Sequence, residues 1–290
     1  MASGILIIDK SPGWTSQDVA AKLRGIYGER RVGHGGTLDP MATGVLPIFL
    51  GRATRAVEFF ESADKEYVAG LRLGLETDTE DITGEVLRED PVQVSRWQVE
   101  AALSSLNGEL MQVPPMYSAV KIQGKKLYEL ARAGKQVERP ARKIFIHETE
   151  LLEGEGTLWQ FRVLCSKGTY VRTLCAEIGK RLGCGGCMES LRRTRAGHYD
   201  LSAAHTIESL LCLSPEERQA LLLPVDSMFM QYPALHLSEN QTRCIRNGGR
   251  FTAHNPEGTY RFYGSDGTFL ALGQIKEGMA QGIKSFFEVN

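Results

Sequence analysis

Apolar positions along this chain follow two periods. Ile5 to Ile8 is a short continuous apolar run stopped by Ser11-Pro12-Gly13, which predicts a buried strand and a turn. Val19, Leu23 and Ile26 then recur at helical spacing, and Thr15 with Asp18 supplies a capping box ahead of them. Residues 66–73 alternate, placing Tyr67, Ala69, Leu71 and Leu73 on one face of a strand. Leu158 to Cys165 alternates again through Trp159, Phe161, Val163 and Cys165. It passes through Ser166-Lys167-Gly168-Thr169 into a helical stripe of Val171, Leu174, Cys175, Ile178 and Leu182. The pattern changes near Tyr232-Pro233. Beyond it lie a short helix capped by Ser238 and closed by Gly248, and strands at 259–264 and 269–275 with a hairpin signal at Asp266-Gly267. These features predict a large unit over residues 1–232 and a small β-rich module over 233–290.

Composition narrows the class. A chain of 290 residues that is 42% hydrophobic and 24% charged is not a disordered tail, a collagen or a coiled coil. Its longest apolar runs are far too short to cross a bilayer, and the first residues carry no basic flank or apolar leader. A soluble cytoplasmic protein without a membrane partner is expected. Six cysteines fit that compartment as free thiols. Cys184-Gly-Gly-Cys187 has the spacing of a redox pair or half a zinc site. With no second pair or histidine cluster nearby, it reads as two small residues in a tight turn, and no metal is expected.

Charge is segregated although the net is −1: +3 over residues 1–57, −9 over 58–110 and +8 over 121–199. The last block interleaves Lys121, Lys125, Lys126, Arg132, Lys135, Arg139, Arg142 and Lys143 with Tyr128, and later holds Arg192-Arg193-Thr194-Arg195. Phosphate contact plus stacking is how looped RNA is held, although a solvated basic face has the same composition. The stretch from Arg30 to Pro40 is too glycine-rich to predict regular structure. Gly33, Gly35 and Gly36 permit positive φ and close approach, while Pro40 biases Asp39 to an extended conformation from which its carboxylate projects. Arg172, in the first turn of a helix, opposes the helix dipole by about 0.3–1 kcal/mol, a cost that an anionic partner offsets. No dinucleotide fingerprint, Walker loop or HExxH occurs.

Several of these segments together resemble the TruB family of tRNA pseudouridine synthases. The carriers are Gly33-His34-Gly35-Gly36-Thr37-Leu38-Asp39-Pro40-Met41-Ala42-Thr43-Gly44, Lys65-Glu66-Tyr67 and Pro114-Pro115-Met116-Tyr117-Ser118-Ala119-Val120-Lys121. They continue with Tyr128-Glu129-Leu130-Ala131-Arg132, Gly168-Thr169-Tyr170-Val171-Arg172-Thr173-Leu174 and Leu191-Arg192-Arg193-Thr194. The resemblance implies an α+β fold: a mixed, largely antiparallel catalytic sheet followed by a PUA-like β-barrel. It also implies conversion of the T-loop uridine of tRNA, position 55, into pseudouridine without cofactor or metal. Asp39 would be the catalytic carboxylate, acting at C1′ or on the C2′ proton. Arg172 would pair with Asp39. Tyr67 would stack on the uracil and move the C5 proton, and Tyr170 and Leu191 would complete the uracil pocket. His34 would fill the gap left by the flipped base, and Lys10 would support the catalytic loop or the backbone phosphates. The basic segment and the appended module would grip the tRNA, and the chain is expected to act as a monomer without a protein partner. A second reading keeps the RNA-binding surface without catalysis, as a tRNA-folding chaperone. The family departures are Ser11-Pro12 in the first turn and Cys184-Gly-Gly-Cys187 before Leu191.

Overall fold

A computed structural model describes residues 2–287 apart from Gln123 and Gln136. The side chain of Arg132, one of the predicted basic residues, also lies outside the described set. Nine strands form the main sheet: β1 (Gly4–Lys10), β2 (Val32–His34), β3 (Thr43–Leu50), β4 (Lys65–Leu73), β5 (Gly108–Gln112), β6 (Arg142–Glu155), β7 (Leu158–Cys165), β8 (Gly186–Ala196) and β9 (Tyr199–Asp200). Their order is β1-β3-β8-β4-β7-β6-β5, with β2 on β3 and β9 on β8. The β3–β8 pairing is parallel and the other ladders of this sheet are antiparallel, which is the expected mixed topology.

The predicted strand faces are the buried ones. Ala69 and Leu71 are fully buried and Leu73 nearly so, as are Phe161, opposite Ala69, and Val163, opposite Tyr67, across the β4–β7 ladder, because residues of one parity share one face of a pleated strand. Helix α1 (Ser16–Tyr27) starts at the reciprocal Thr15–Asp18 capping box and turns Val19, Ala20 and Leu23 into the core. Helix α2 (Arg96–Ser104) and helix α3 (Val171–Leu182) cover the same core. On α3 the predicted stripe is buried from Val171 to Ile178, with Leu182 partly exposed.

Two local expectations are corrected. Glycine content did not prevent regular structure at Gly33 and His34, which pair with Phe49 and Ile48 of β3 in a short edge strand. Irregular backbone is found at Arg30 and Arg31 and in the residues between β2 and β3. Nor do all three glycines there take positive φ: Gly36 does, at 106°, whereas Gly35 is required by packing, since a Cβ would stand 2.5 Å from Phe60. The pair between Cys184 and Cys187 has a similar cause. A Cβ on Gly179 of α3 would fall 2.2 Å from the backbone of Gly185 and Gly186, so backbone lies directly against helix here. Cys184 and Cys187 are free, and among the described residues no cluster suited to a metal occurs.

After α3 and β8 the chain leads to a second sheet of β10 (Ala234–His236), β11 (Arg250–Thr252), β12 (Gly258–Tyr263), β13 (Phe269–Lys276) and β14 (Met279–Ser285), in the order β10-β12-β13-β14-β11. Its helix α4 (Glu239–Arg246) begins at a Ser238 capping box, and Gly267 takes φ 77° in the predicted hairpin. Leu272 and Phe286 of this segment pack with Phe229, Ile5 and Val45. Among the described residues no helix is long and apolar enough to cross a membrane.

Candidate active site

The β3–β8 and β8–β4 ladders bring three distant stretches of sequence to one place. Register sets Arg193 beside both Gly44 and Tyr67. Gly44 is obligatory there: its φ is 99°, and a Cβ would sit 2.2 Å from the Arg193 carbonyl oxygen. Above this junction opens a cleft of about 930 Å³, within the usual size range of ligand sites. His34, Asp39, Tyr67, Tyr170, Arg172 and Leu191 all line it.

Asp39 and Arg172 meet at the centre. Arg172 Nε lies 3.0 Å from Asp39 Oδ2, and Nη2 lies 3.3 Å from Oδ1, a two-point contact that fixes the carboxylate plane. The guanidinium is 5% exposed, whereas the Asp39 side chain keeps 34% of its surface open to the cleft. Three other groups hold Arg172: Nη1 donates to Thr79 O (3.1 Å), Nη2 donates to Tyr117 O (2.9 Å), and Asp81 Oδ2 stands 3.7 Å from Nη1. This answers the misplaced cation at the start of α3. Burial raises the Asp39 carboxyl above its ordinary value, and Asp81 adds to the rise, while Arg172 and Lys10 oppose it.

Lys10 does not line the cleft. It is 1% exposed and donates from Nζ to Ser11 O (3.0 Å), Trp14 O (2.7 Å) and Pro40 O (3.2 Å). The ammonium thus ties the turn after β1 to the residue next to Asp39. Burial lowers its pKa to about 8. His34 sits half-buried on the wall, and burial, then the charge of Arg193, hold its imidazole below the ordinary histidine range. Its Nδ1 and the Oγ of Ser118, another cleft-lining residue, are buried without hydrogen-bond partners among the described residues.

Tyr170 precedes α3. Gln112 of β5 grips its backbone twice, Oε1 accepting from Tyr170 N (2.8 Å) and Nε2 donating to Tyr170 O (3.1 Å). Gln112, Asp81 and Arg193 went unrecognised as site residues in the sequence. Asp81 lay inside an acidic block, and Gln112 carried no signal. Arg193 was one of three arginines in a basic run, yet its neighbours point elsewhere: Arg192 to Asp9 (2.8 Å) and Arg195 to Glu66 (3.6 Å). The expected phosphate-facing charge is correspondingly smaller. Arg172 and Arg193 are buried, and Arg162 is engaged by Glu66, Glu148 and Glu150. Exposed at the cleft mouth are Arg142, Lys167 and Lys143, the last paired with Glu109 (2.6 Å).

Over residues 24–171 the chain matches the model of the TruB family pseudouridylate synthase N-terminal domain, and over 172–230 that of the tRNA pseudouridylate synthase B C-terminal domain. The chain belongs to the TruB family. It is therefore a pseudouridine synthase, an isomerase. It is 46% identical over 275 residues to the tRNA pseudouridine synthase B of Aromatoleum aromaticum, covering 94% of this chain and 89% of that one. The enzyme of the same name from Francisella tularensis subsp. novicida is 42% identical over 290 residues, covering 99% and 95%. Among solved structures, a Cbf5–Nop10–Gar1 complex aligns with TM-score 0.75 and 27% identity over 99% of this chain and 85% of the other. An H/ACA RNP bound to a substrate RNA containing 2′-deoxyuridine aligns with TM-score 0.73 and 25% identity over 98% and 85%. The TruB fold thus accounts for both sheets described above.

Proposed function

We propose that the protein isomerises the T-loop uridine of tRNA, position 55, to pseudouridine, acting as a single chain without metal or cofactor. The observation that carries this reading is the carboxylate of Asp39, clamped at two points by a buried guanidinium yet one-third open to a cleft large enough for a nucleotide. The substrate follows from the relatives, whose names specify tRNA. The target base leaves the loop stack to reach Asp39, at a cost of a few kcal/mol. His34, on the wall with an unpartnered nitrogen, fills the gap or stacks on the displaced nucleotides. Tyr67 and Leu191, opposite Arg193 and Ala69 in the β8–β4 ladder, flank the uracil, and Tyr170 closes its other side.

Two chemical routes fit the geometry. The Asp39 carboxylate attacks C1′ as the C1′–N1 bond breaks and uracil leaves with the bonding pair on N1, or it removes the C2′ proton and the C2′–H pair expels uracil by breaking the same bond; in both, Arg172 holds it ionised and oriented. Uracil then turns, and C5 bonds to C1′. In this reading Tyr67 takes the C5 proton. Residues 1–232 supply this chemistry and residues 233–290 add RNA-binding surface.

The test is pseudouridine formation in an unmodified tRNA transcript by the purified chain with chelator present, mapped nucleotide by nucleotide, for wild type and Asp39→Asn. Product at the T-loop uridine from wild type alone is expected. Product from both proteins removes Asp39 from the mechanism, and tight binding without product from either favours the chaperone reading.

A further inference from the structure

Arg193 is a buried charge without a visible purpose. It is 1% exposed, its Nε donates to Val45 O (2.6 Å) and its Nη2 donates to Gly36 O (3.2 Å). Every other arginine of its run has a carboxylate, but among the described residues none comes within ion-pair distance of Arg193. Two cations crowd it, Lys65, buried on the carbonyls of Glu61 and Ala63, and Lys10. An uncompensated buried charge costs several kcal/mol, so the folded protein holds this guanidinium against a steep penalty. A negative charge that arises only during the reaction would offset it.

The β8–β4 ladder identifies where. Arg193 is the direct cross-strand partner of Tyr67, on the face that lines the cleft. We propose that Arg193 is a positioning residue whose charge allows the Tyr67 oxygen to act as a phenolate when it takes the proton from C5 of the rotated uracil. The inference rests on the pseudouridine synthase reading above. At that stage C5 is bonded to C1′ and still carries its hydrogen. The phenolate oxygen takes that proton, the C5–H electron pair becomes the C5=C6 bond, and the C6=N1 pair moves to N1. N1 takes a proton from water, and Tyr67 later returns its own proton to water. Burial, with Cys165 and Asp39 adding to it, holds the phenol above the ordinary tyrosine range, and the charge of Arg193 is the largest influence opposing that rise.

The experiment uses tRNA transcript with 5-deuterated uridine at the target, the full chain, and the variants Tyr67→Phe, Arg193→Gln and the double. R193Q is expected to slow product formation about 10²-fold. It should also reveal a primary isotope effect at C5 that wild type lacks, and move the acid limb of C5 proton loss, a step separate from the Asp39-dependent bond cleavage, to higher pH. The double variant should be no slower than Y67F. Additive losses without an isotope effect overturn the proposal, because a merely structural role for Arg193 predicts them. Y67F at the wild-type rate refutes the reading of Tyr67 itself and is distinguishable from that outcome. Should R193Q fail to fold, wild-type protein carrying 3-fluorotyrosine at position 67 decides: an acid limb moved to lower pH supports the phenolate, and an unmoved limb overturns it.

Discussion

Replacing Arg172 by lysine separates the charge of this residue from its shape. The guanidinium reaches both Asp39 oxygens (3.0 and 3.3 Å) and at the same time donates to the carbonyls of Thr79 (3.1 Å) and Tyr117 (2.9 Å). An ammonium is a single point and cannot span these four acceptors. If it follows Asp39, two carbonyls inside the protein lose their donor, at about 1–3 kcal/mol each. R172K should therefore lose about 2–6 kcal/mol, against the 5–15 kcal/mol typical of a folded domain, and still fold. The carboxylate, held at one point instead of two, loses its orientation, and the single-turnover rate should drop about 10²-fold. Arg172→Met should fall further, since Asp39 and Asp81 then share the site without a cation. Urea unfolding reads the first quantity. Release of tritium from tRNA labelled at uridine C5 reads the second, because that hydrogen leaves as product forms. R172K at the wild-type rate with R172M inactive would show that only charge matters, and the argument from the two-point clamp would be wrong.

Four further outcomes follow from the same geometry. In the proposed mechanism Asp39 acts as the carboxylate and burial raises its pKa, so cleavage of the glycosidic bond, as distinct from loss of the C5 proton, should fail on acidification at a pH above the ordinary carboxylate range. Lys10→Met removes a positive charge that opposes the rise and should move that acid limb upward; an unmoved limb refutes the coupling. Lys10 is pushed down to about 8 when folded, so the native state gives up its proton first, and stability should rise with pH from about 8 to 10.5. K10M should lose its share of that rise in unfolding measurements across this window. Gly35→Ala should cost about 1–3 kcal/mol by overpacking against Phe60, and Phe60→Leu should recover part of it in thermal unfolding. Affinity for tRNA should fall steeply with salt, and Lys143→Gln with Lys167→Gln should flatten the slope; an unchanged slope removes the cleft mouth from phosphate contact.

Much of this was readable before folding, for local reasons. The Thr15–Asp18 and Ser238 caps, the stripes of α1 and α3, and the alternation of β4 and β7 depend on neighbours within one element, and the structure repeats them. The projecting Asp39 and the anomalous Arg172 were visible because each breaks a local rule, Asp39 before a proline and Arg172 against a helix dipole. What stayed hidden depends on pairing between distant segments. A charge count cannot separate Arg193, turned inward beside Tyr67, from Arg192 and Arg195, turned outward to carboxylates. Asp81 belongs to a block that reads as solvated surface until the Arg172 guanidinium meets it. Gln112 holds Tyr170 across 58 residues of sequence, a distance at which no pattern speaks.

The order in which β8 enters the sheet has a consequence for the life of the chain. Tyr67, Asp39 and their loops are made early, but Leu191 and Arg193 arrive on the last long strand of the main sheet, between β3 and β4. A nascent chain shorter than Ala196 therefore has a carboxylate but neither a closed floor nor a completed pocket. The protein is synthesised on a machine made largely of RNA, surrounded by uridines. Because the strand that closes the cleft comes last, the cleft, and with it the chemistry proposed above, is complete only once that strand has entered between β3 and β4.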